Sequence, residues 1–177
     1  MKLLSGGQSG VDRAVLDVAI ERGLAYGGWC PKGGWAEDFP APPGLLAKYP
    51  RLQETPLADP AQRTEWNLRD ADACMIVIDS GGLAVSAGTG LAQDLAHRYR
   101  KPLLIAQLDQ EATLEHSAFW LRVQAARHDA KPGAKPGAGL TLAIGGPRES
   151  EAPGIYQRAT SFLRAMIERG DVAGRGR

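Results

Sequence analysis

Cys74-Met75-Ile76-Val77-Ile78 is the stretch that decides the fold. All five residues are apolar, so the strand is expected to be buried on both faces, as a central strand of a parallel sheet must be. A loop rich in Gly and Ser follows at residues 80–88, and a helix is predicted at residues 89–100. Strand, loop and helix in this order are typical of a right-handed βαβ unit.

The same alternation extends along the chain. Further strands are predicted at residues 2–4, 26–30, 103–106 and 140–144, and further helices at residues 11–22, 60–71, 113–127 and 153–168. The pattern predicts an α/β fold of the Rossmann-like type, in which helices flank a parallel sheet in three layers. The expected core residues of the helix at 113–127 are Leu114, Phe119, Trp120, Leu121 and Val123.

Two segments interrupt this rhythm. Residues 31–58 contain six prolines and are predicted to form a long irregular loop, a kind of segment that is often functional. Residues 130–139 repeat Lys-Pro-Gly-Ala and are predicted to be a flexible surface insertion. We expect one domain over residues 1–169 and a disordered tail at residues 170–177.

Composition narrows the classes of function. The chain has 177 residues and a net charge of +1. It therefore lacks the excess of basic residues that would favour binding to nucleic acid. No apolar run approaches the roughly 20 residues of a membrane helix, and no signal peptide is expected. Two cysteines are too few for a disulfide framework, which favours a cytoplasmic protein. No protein-bound metal site is expected, because the three histidines have no partner at ligand spacing.

Three Gly-rich loops follow predicted strands, where parallel sheets bind their ligands. In the first, glycines expose backbone N–H groups beside a helix N-terminus, an arrangement that favours phosphate. Its candidate ligand-binding residues are Gly6, Gly7, Gln8, Ser9, Gly10, Asp12 and Arg13. The alternative is a tight turn followed by a solvated Asp–Arg pair. The loop matches neither the dinucleotide fingerprint nor a Walker A motif.

The second and third loops repeat this arrangement. Ser80, Ser86, Gly88 and Thr89 precede a helix, and Thr89 can either cap it or bind a phosphate oxygen. Arg148 follows the last strand and is either an anion ligand or part of an exposed surface loop.

Polar residues of two other segments complete the predicted site. After the second strand, Lys32 and Gly33 can approach a phosphate, and Glu37 and Asp38 can accept from a heterocycle; an ordinary surface loop is the alternative. Arg63 and Asn67 share one face of a helix by their spacing, and that face either meets the site or is solvated.

With these motifs in place, the chain resembles the "putative molybdenum carrier" family. That family belongs to a wider group of lysine-decarboxylase-like Rossmann folds, which includes the "lonely guy" phosphoribohydrolases. The matching motifs include SGGQSGVDR at residues 5–13, GGWCPKG at 27–33, RTEWNLRDAD at 63–72, the Gly88-Thr89 pair and the loop at 146–150.

The resemblance implies a homo-oligomeric carrier, a dimer or a tetramer, for a small phosphorylated ligand. That ligand would be the molybdenum cofactor (molybdopterin) or otherwise a nucleotide, with no nucleic acid or membrane as partner. The phosphoribohydrolases carry a Glu three residues after the Gly-Thr pair, where this chain has Ala92. This departure disfavours hydrolysis, although Glu37 or Glu65 can supply an acid from elsewhere.

The sequence is also compatible with two other functions. One is a nucleotide-processing enzyme, such as a nucleoside-monophosphate N-glycosidic hydrolase. The other is a nucleotide-sensing module that binds without turnover.

Overall fold

One parallel sheet forms the centre of the protein. The structure is a computed structural model and describes residues 1–133 and 139–170. Its strands are β1 (Lys2–Leu4), β2 (Ala25–Cys30), β3 (Leu52–Glu54), β4 (Ala73–Ile78), β5 (Leu103–Gln107) and β6 (Thr141–Gly145). They lie side by side in the order β3-β2-β1-β6-β4-β5, and every neighbouring pair is parallel. The predicted Rossmann-like α/β fold is confirmed.

Helices cover both faces of the sheet. They are α1 (Val11–Glu21), α2 (Leu45–Lys48), α3 (Pro60–Arg69), α4 (Ala87–Arg98), α5 (Thr113–Asp129) and α6 (Ile155–Gly170). Helices α1, α5 and α6 pack together on one face, and α3 packs beside α4 on the other. Local signals set their ends: the Asp59 carboxylate accepts from the Ala61 N–H before α3, and Gly23, with a φ of 65°, follows α1.

The strand order reverses direction in the middle of the sheet. From β1 the chain moves outward through β2 to β3, whereas β4 and β5 lie on the other side, and β6 occupies the place between β1 and β4. The carboxyl ends of β1, β6 and β4 therefore meet at a topological switch point, the usual ligand position in open parallel sheets. The three predicted Gly-rich loops all leave the sheet at this point.

The two faces of the sheet are packed unequally. Leu142 and Ile144 of β6 point into the larger core, which α1, α5 and α6 cover. Ala143 lies in a smaller core beneath α3 and α4, together with Leu4 and Cys74. Because side chains alternate along a strand, Gly145 falls on the same face as Ala143. The smallest side chains of β6 therefore lie under α3 and α4.

Two features of the sequence prediction were wrong. The segment 31–58 is not wholly irregular, because it contains α2 and the edge strand β3, whose short runs pack through Leu45 and Leu52. In α5, Leu121 is buried as expected, but Phe119 is 59% exposed and lies beneath the Arg122 guanidinium on the solvent side.

The predicted strand β4 is buried at all six of its positions.

Parts of two predicted segments lie outside the described residues. These are residues 134–138 of the predicted insertion and residues 171–177 of the predicted tail, whereas Gly170 ends α6. Across residues 1–133 and 139–170, no helix has both the length and the apolar character needed to cross a membrane.

Close contact between two of the loops depends on Gly10, which precedes α1 with a φ of 73°. A Cβ atom there would lie 2.7 Å from the Glu149 backbone nitrogen, and the Val11 N–H donates to the Pro147 carbonyl at 3.2 Å. The loops after β1 and β6 therefore touch through their backbones.

We predict that Gly10→Ala lowers the free energy of unfolding by at least about 2 kcal/mol, because a Cβ adds backbone strain and a steric clash. Gly90→Ala is the control: a Cβ at this helical glycine meets nothing within 4 Å, so stability should rise by up to about 1 kcal/mol. Urea denaturation measures both, and an unchanged midpoint in Gly10→Ala would contradict the loop contact.

Candidate functional site

A cavity of about 260 Å³ opens at the switch point, between the carboxyl edge of the sheet and helices α3 and α4. The loops after β1, β4 and β6 all contribute to its lining. The cavity brings together eight of the predicted site residues: Gly6, Asp12, Arg63, Asn67, Ser86, Gly88, Thr89 and Arg148.

The other predicted residues lie elsewhere. A wider groove near the start of α6, which we call the outer groove, is lined by Ser9, Gly10, Arg13, Glu37 and Asp38. Five more belong to the lining of neither space: Gly7, Gln8, Lys32, Gly33 and Ser80. The predicted set is thus divided between a cavity and a groove.

A buried ion pair closes one wall of the cavity. The Arg63 Nη1 donates to Asp12 Oδ2 at 2.7 Å, and both side chains are largely buried. The backbone N–H groups of Gln8 and Gly146 also donate to the Asp12 carboxylate. Burial raises the pKa of Asp12, and these partners offset only part of that effect. The Asp12 oxygens are thereby occupied by the protein itself.

Gly6 lies directly beneath the same arginine. A Cβ atom at residue 6 would lie 2.8 Å from both Cδ and Cζ of Arg63. The absence of a side chain at Gly6 therefore allows Arg63 to cross the loop after β1 and reach Asp12.

Arg13 is held in the outer groove by internal partners. Its two terminal nitrogens donate to the Asp38 carboxylate at 2.8 and 2.9 Å, and Nε and Nη2 donate to the Gly7 carbonyl. Partial burial acts to raise the pKa of Asp38, but the hydrogen bonds and charge of Arg13 hold it below its ordinary value. Arg13 thus joins the segment after β2 to the loop after β1.

Glu37 makes a second connection across the outer groove. Its carboxylate accepts from the hydroxyls of Ser9 and Ser150, and these bonds hold its pKa below the ordinary value against the opposing effect of burial. The Gln8 side-chain oxygen accepts from the backbone N–H groups of Ser9 and Glu37. These bonds fasten three loops to one another.

Several predicted residues have local structural partners. The side-chain amide of Asn67 accepts from the Trp29 N–H at 2.8 Å and donates to the Trp29 carbonyl at 2.9 Å, which fixes α3 against β2. The Gly33 N–H donates to the Glu54 carboxylate, and the side chains of Lys32 and Ser80 are exposed.

Thr89 is different, because it lines the cavity and its buried hydroxyl has no hydrogen-bond partner. Thr89 is 3% exposed, and its Oγ1 is buried and makes no hydrogen bond in the structure. It lies in the first turn of α4, where the Ser86 hydroxyl accepts from the Thr89 N–H at 3.4 Å. An unpaired buried hydroxyl is costly, and a helix N-terminus favours an anion. Both features indicate a place for an anionic group.

Sequence reasoning missed the apolar part of the cavity. Leu4, Ala143 and Cys74 line it, and Ile76 and Leu91 extend it. Burial raises the pKa of the Cys74 thiol to about 12, so the thiol is protonated at neutral pH. The alternation Leu142-Ala143-Ile144-Gly145 was the available signal, because it places small residues on one face of a buried strand.

No cluster of three or more His, Cys, Asp or Glu residues able to hold a metal ion occurs in the described part of the chain.

Comparison with known proteins identifies the family. The sequence pattern of the circularly permutated YpsA SLOG family matches residues 3–167. The chain belongs to this family. The crystal structure of a "putative molybdenum carrier protein" from Syntrophus aciditrophicus is similar to it, with a TM-score of 0.76 and 35% identity over 94% of each chain. This confirms the resemblance seen in the sequence. No curated protein matches the chain.

The strand order shows what the permutation in the name of the YpsA SLOG family means here. If β6 is counted as the first strand and every other number is raised by one, the order becomes 4-3-2-1-5-6. In that count the first strand lies at the reversal of the sheet, as in the doubly wound dinucleotide-binding fold. The loop after β6, which carries Arg148, therefore lies where the doubly wound fold has its first strand-to-helix turn.

We predict opposite effects for two Thr→Val substitutions. Thr89→Val should raise the free energy of unfolding by about 1 kcal/mol, because it removes a buried hydroxyl that has no partner. Thr160 is the control: its buried hydroxyl donates to the Tyr156 carbonyl at 2.7 Å, so Thr160→Val should lower stability by about 1 kcal/mol. Thermal denaturation measures both, and a loss of stability in Thr89→Val would contradict the described site.

A second prediction concerns the ion pair. Arg63→Met should lower the free energy of unfolding by about 3–5 kcal/mol, because it leaves the Asp12 charge buried without its partner. The control Arg164→Met breaks an exposed pair with Glu21 and should change stability by less than about 1 kcal/mol. Asp12→Asn added to Arg63→Met should restore part of the loss in chemical denaturation, and equal effects of Arg63→Met and Arg164→Met would refute the role of the pair.

Proposed function

We propose that this chain binds a small phosphorylated ligand in the cavity, with the anionic group of the ligand at the start of α4, and acts as a carrier of that ligand. The observation on which the proposal rests is the unpartnered Thr89 hydroxyl at the N-terminus of α4. Residues with three kinds of donor line the same space: the first turn of α4 with its backbone N–H groups, Thr89 with its hydroxyl, and Arg63 and Arg148 with their guanidinium groups. The Arg148 guanidinium lies over the Trp35 ring and would have to turn towards the cavity to reach an anion. A phosphate group satisfies such a set of donors.

The molybdenum cofactor is the leading candidate for this ligand, because the similar protein from Syntrophus aciditrophicus is named a molybdenum carrier. Its phosphate suits the donors at α4, with Thr89, Arg63 and Arg148 as the residues that would hold it. The cavity, at about 260 Å³, lies below the 300–1,000 Å³ of typical ligand pockets. The pterin, which supplies the dithiolene sulfurs that bind molybdenum, would extend beyond it.

Binding is favoured over glycosidic hydrolysis. Among the described residues, Asp12 is the carboxylate that lines the cavity, and its oxygens already accept from Arg63 and two backbone N–H groups. Ala92, at the position of the acid in the phosphoribohydrolase motif, contributes only a methyl group to the lining. Glu37 lies in the outer groove, and Glu65 accepts from the Tyr99 hydroxyl at 2.6 Å. A hydrolase needs an acid that is free to transfer a proton.

We predict that inorganic phosphate binds saturably and that Thr89→Val weakens this binding about tenfold, because it removes one donor to a charged acceptor. Arg148→Gln should weaken it by a similar factor. Lys32→Gln is the control and should leave the affinity unchanged, since Lys32 lies outside the cavity lining. Calorimetry or phosphorus NMR measures the binding, and the same affinity in wild type and Thr89→Val would rule out this site.

The identity of the ligand needs a separate test. Purified protein is denatured and oxidised, and the released material is examined for pterin fluorescence and by mass spectrometry. We expect a phosphorylated pterin at a stoichiometry that falls in Thr89→Val. If a nucleotide is released instead, the ligand is a nucleotide and not the molybdenum cofactor, and the proposal that the ligand binds through its phosphate would stand.

A further inference from the structure

We propose that the ligand carries a compact apolar group next to its anionic end, and that this group lies on the inner floor of the cavity. The inference rests on the proposed function and changes its order of candidates, because it favours phosphate esters of small apolar groups over the molybdenum cofactor. It follows from the division of the cavity into a polar edge, at the start of α4, and an apolar floor on the sheet.

The floor is a row of three side chains on adjacent strands. Leu4 of β1 lies opposite Ala143 of β6, and Ala143 lies opposite Cys74 of β4. All three residues are buried, belong to the smaller core and line the cavity. The row starts at the carboxyl end of β1 and runs across the sheet beneath α3 and α4.

Small residues in the row, beside it and on the helix above it create the space. On the sheet, Ala143 and Gly145 are the β6 residues that line the cavity on this face, and on α4 the lining includes Ala87, Gly88 and Ala92. The opposite face of β6 carries Leu142 and Ile144 in a closely packed core. Protein interiors are normally filled to the density of organic crystals. The gap beneath α3 and α4, next to the proposed anion site, is therefore suited to a ligand group.

The polar groups that border the floor are already engaged. The Thr64 hydroxyl donates to the Pro60 carbonyl, the Ser5 hydroxyl donates to the Asp12 carbonyl, and the amide of Asn67 is paired with the Trp29 backbone. The Cys74 thiol stays protonated because of its burial and is at most a weak hydrogen-bond group.

A polar heterocycle on this floor would therefore lose hydrogen bonds to water and gain none. An apolar group would instead gain from its transfer out of water. The same argument keeps the pterin of a molybdenum cofactor off the floor, so the pterin is not the inferred apolar group.

The test compares phosphate esters on the full-length protein by calorimetry. n-Butyl phosphate should bind at least about tenfold more tightly than methyl phosphate, since each buried CH₂ contributes roughly fourfold in affinity. If both esters bind like inorganic phosphate, the apolar floor is refuted while the anion site stands. If none of the three binds, the proposed function fails as well.

A substitution in the floor gives the second arm. Ala143→Leu fills the space, so it should abolish the gain for butyl phosphate and keep the affinity for inorganic phosphate. Ala126→Leu, on the exposed side of α5, is the matched control and should change neither affinity. Full retention of the butyl gain in Ala143→Leu would overturn the inference.

Cys74 supplies a measurement that needs no floor substitution. In a Cys30→Ala background, where Cys74 is the remaining thiol, saturating butyl phosphate should slow modification of Cys74 by a small thiol reagent at least about fivefold. Saturating inorganic phosphate should slow it much less, because it occupies only the edge. Equal protection by the two compounds would contradict a ligand group on the floor.

Discussion

The buried ion pair between Asp12 and Arg63 is the interaction on which the site depends. The Asp12 carboxylate joins the loops after β1 and β6 through the Gln8 and Gly146 N–H groups, and Arg63 joins both to α3. Two charges are removed from water at a considerable cost, which good geometry and additional hydrogen bonds must offset. The pair also limits the charge that Arg63 offers to a ligand: because Asp12 largely neutralises Arg63, the proposed anion would be attracted mainly by the first turn of α4 and by Arg148.

Unequal packing of the two sheet faces explains how the protein keeps an open cavity and a stable fold. The face covered by α1, α5 and α6 carries the larger core, including Leu142 and Ile144 of β6. The face beneath α3 and α4 is built on smaller side chains and leaves a gap at the switch point. Thr89, whose buried hydroxyl has no hydrogen-bond partner, is among the residues that line this gap.

Much of the fold could be predicted from the sequence, and part of the site could not. Local interactions determine several features that the sequence predicted correctly. These are the buried strand β4 from its all-apolar run, the start of α3 from Asp59-Pro60, and the end of α1 from Gly23. Strand β3 has three residues and only one buried side chain, which is too short for a recognisable period. Sequence reasoning gave Arg13 to the first Gly-rich loop and Arg63 to a helix face that either meets the site or is solvated. The directions of these side chains are fixed by distant partners, Asp38 for Arg13 and Asp12 for Arg63.

The most direct measurement of the central claim is a crystal structure of the protein grown with phosphate. We expect an anion at the switch point, within hydrogen-bond distance of the Thr89 hydroxyl and of backbone N–H groups in the first turn of α4, with the Asp12–Arg63 pair intact. An anion bound only in the outer groove beside Arg13, with the Thr89 hydroxyl still unpartnered, would contradict the proposed site.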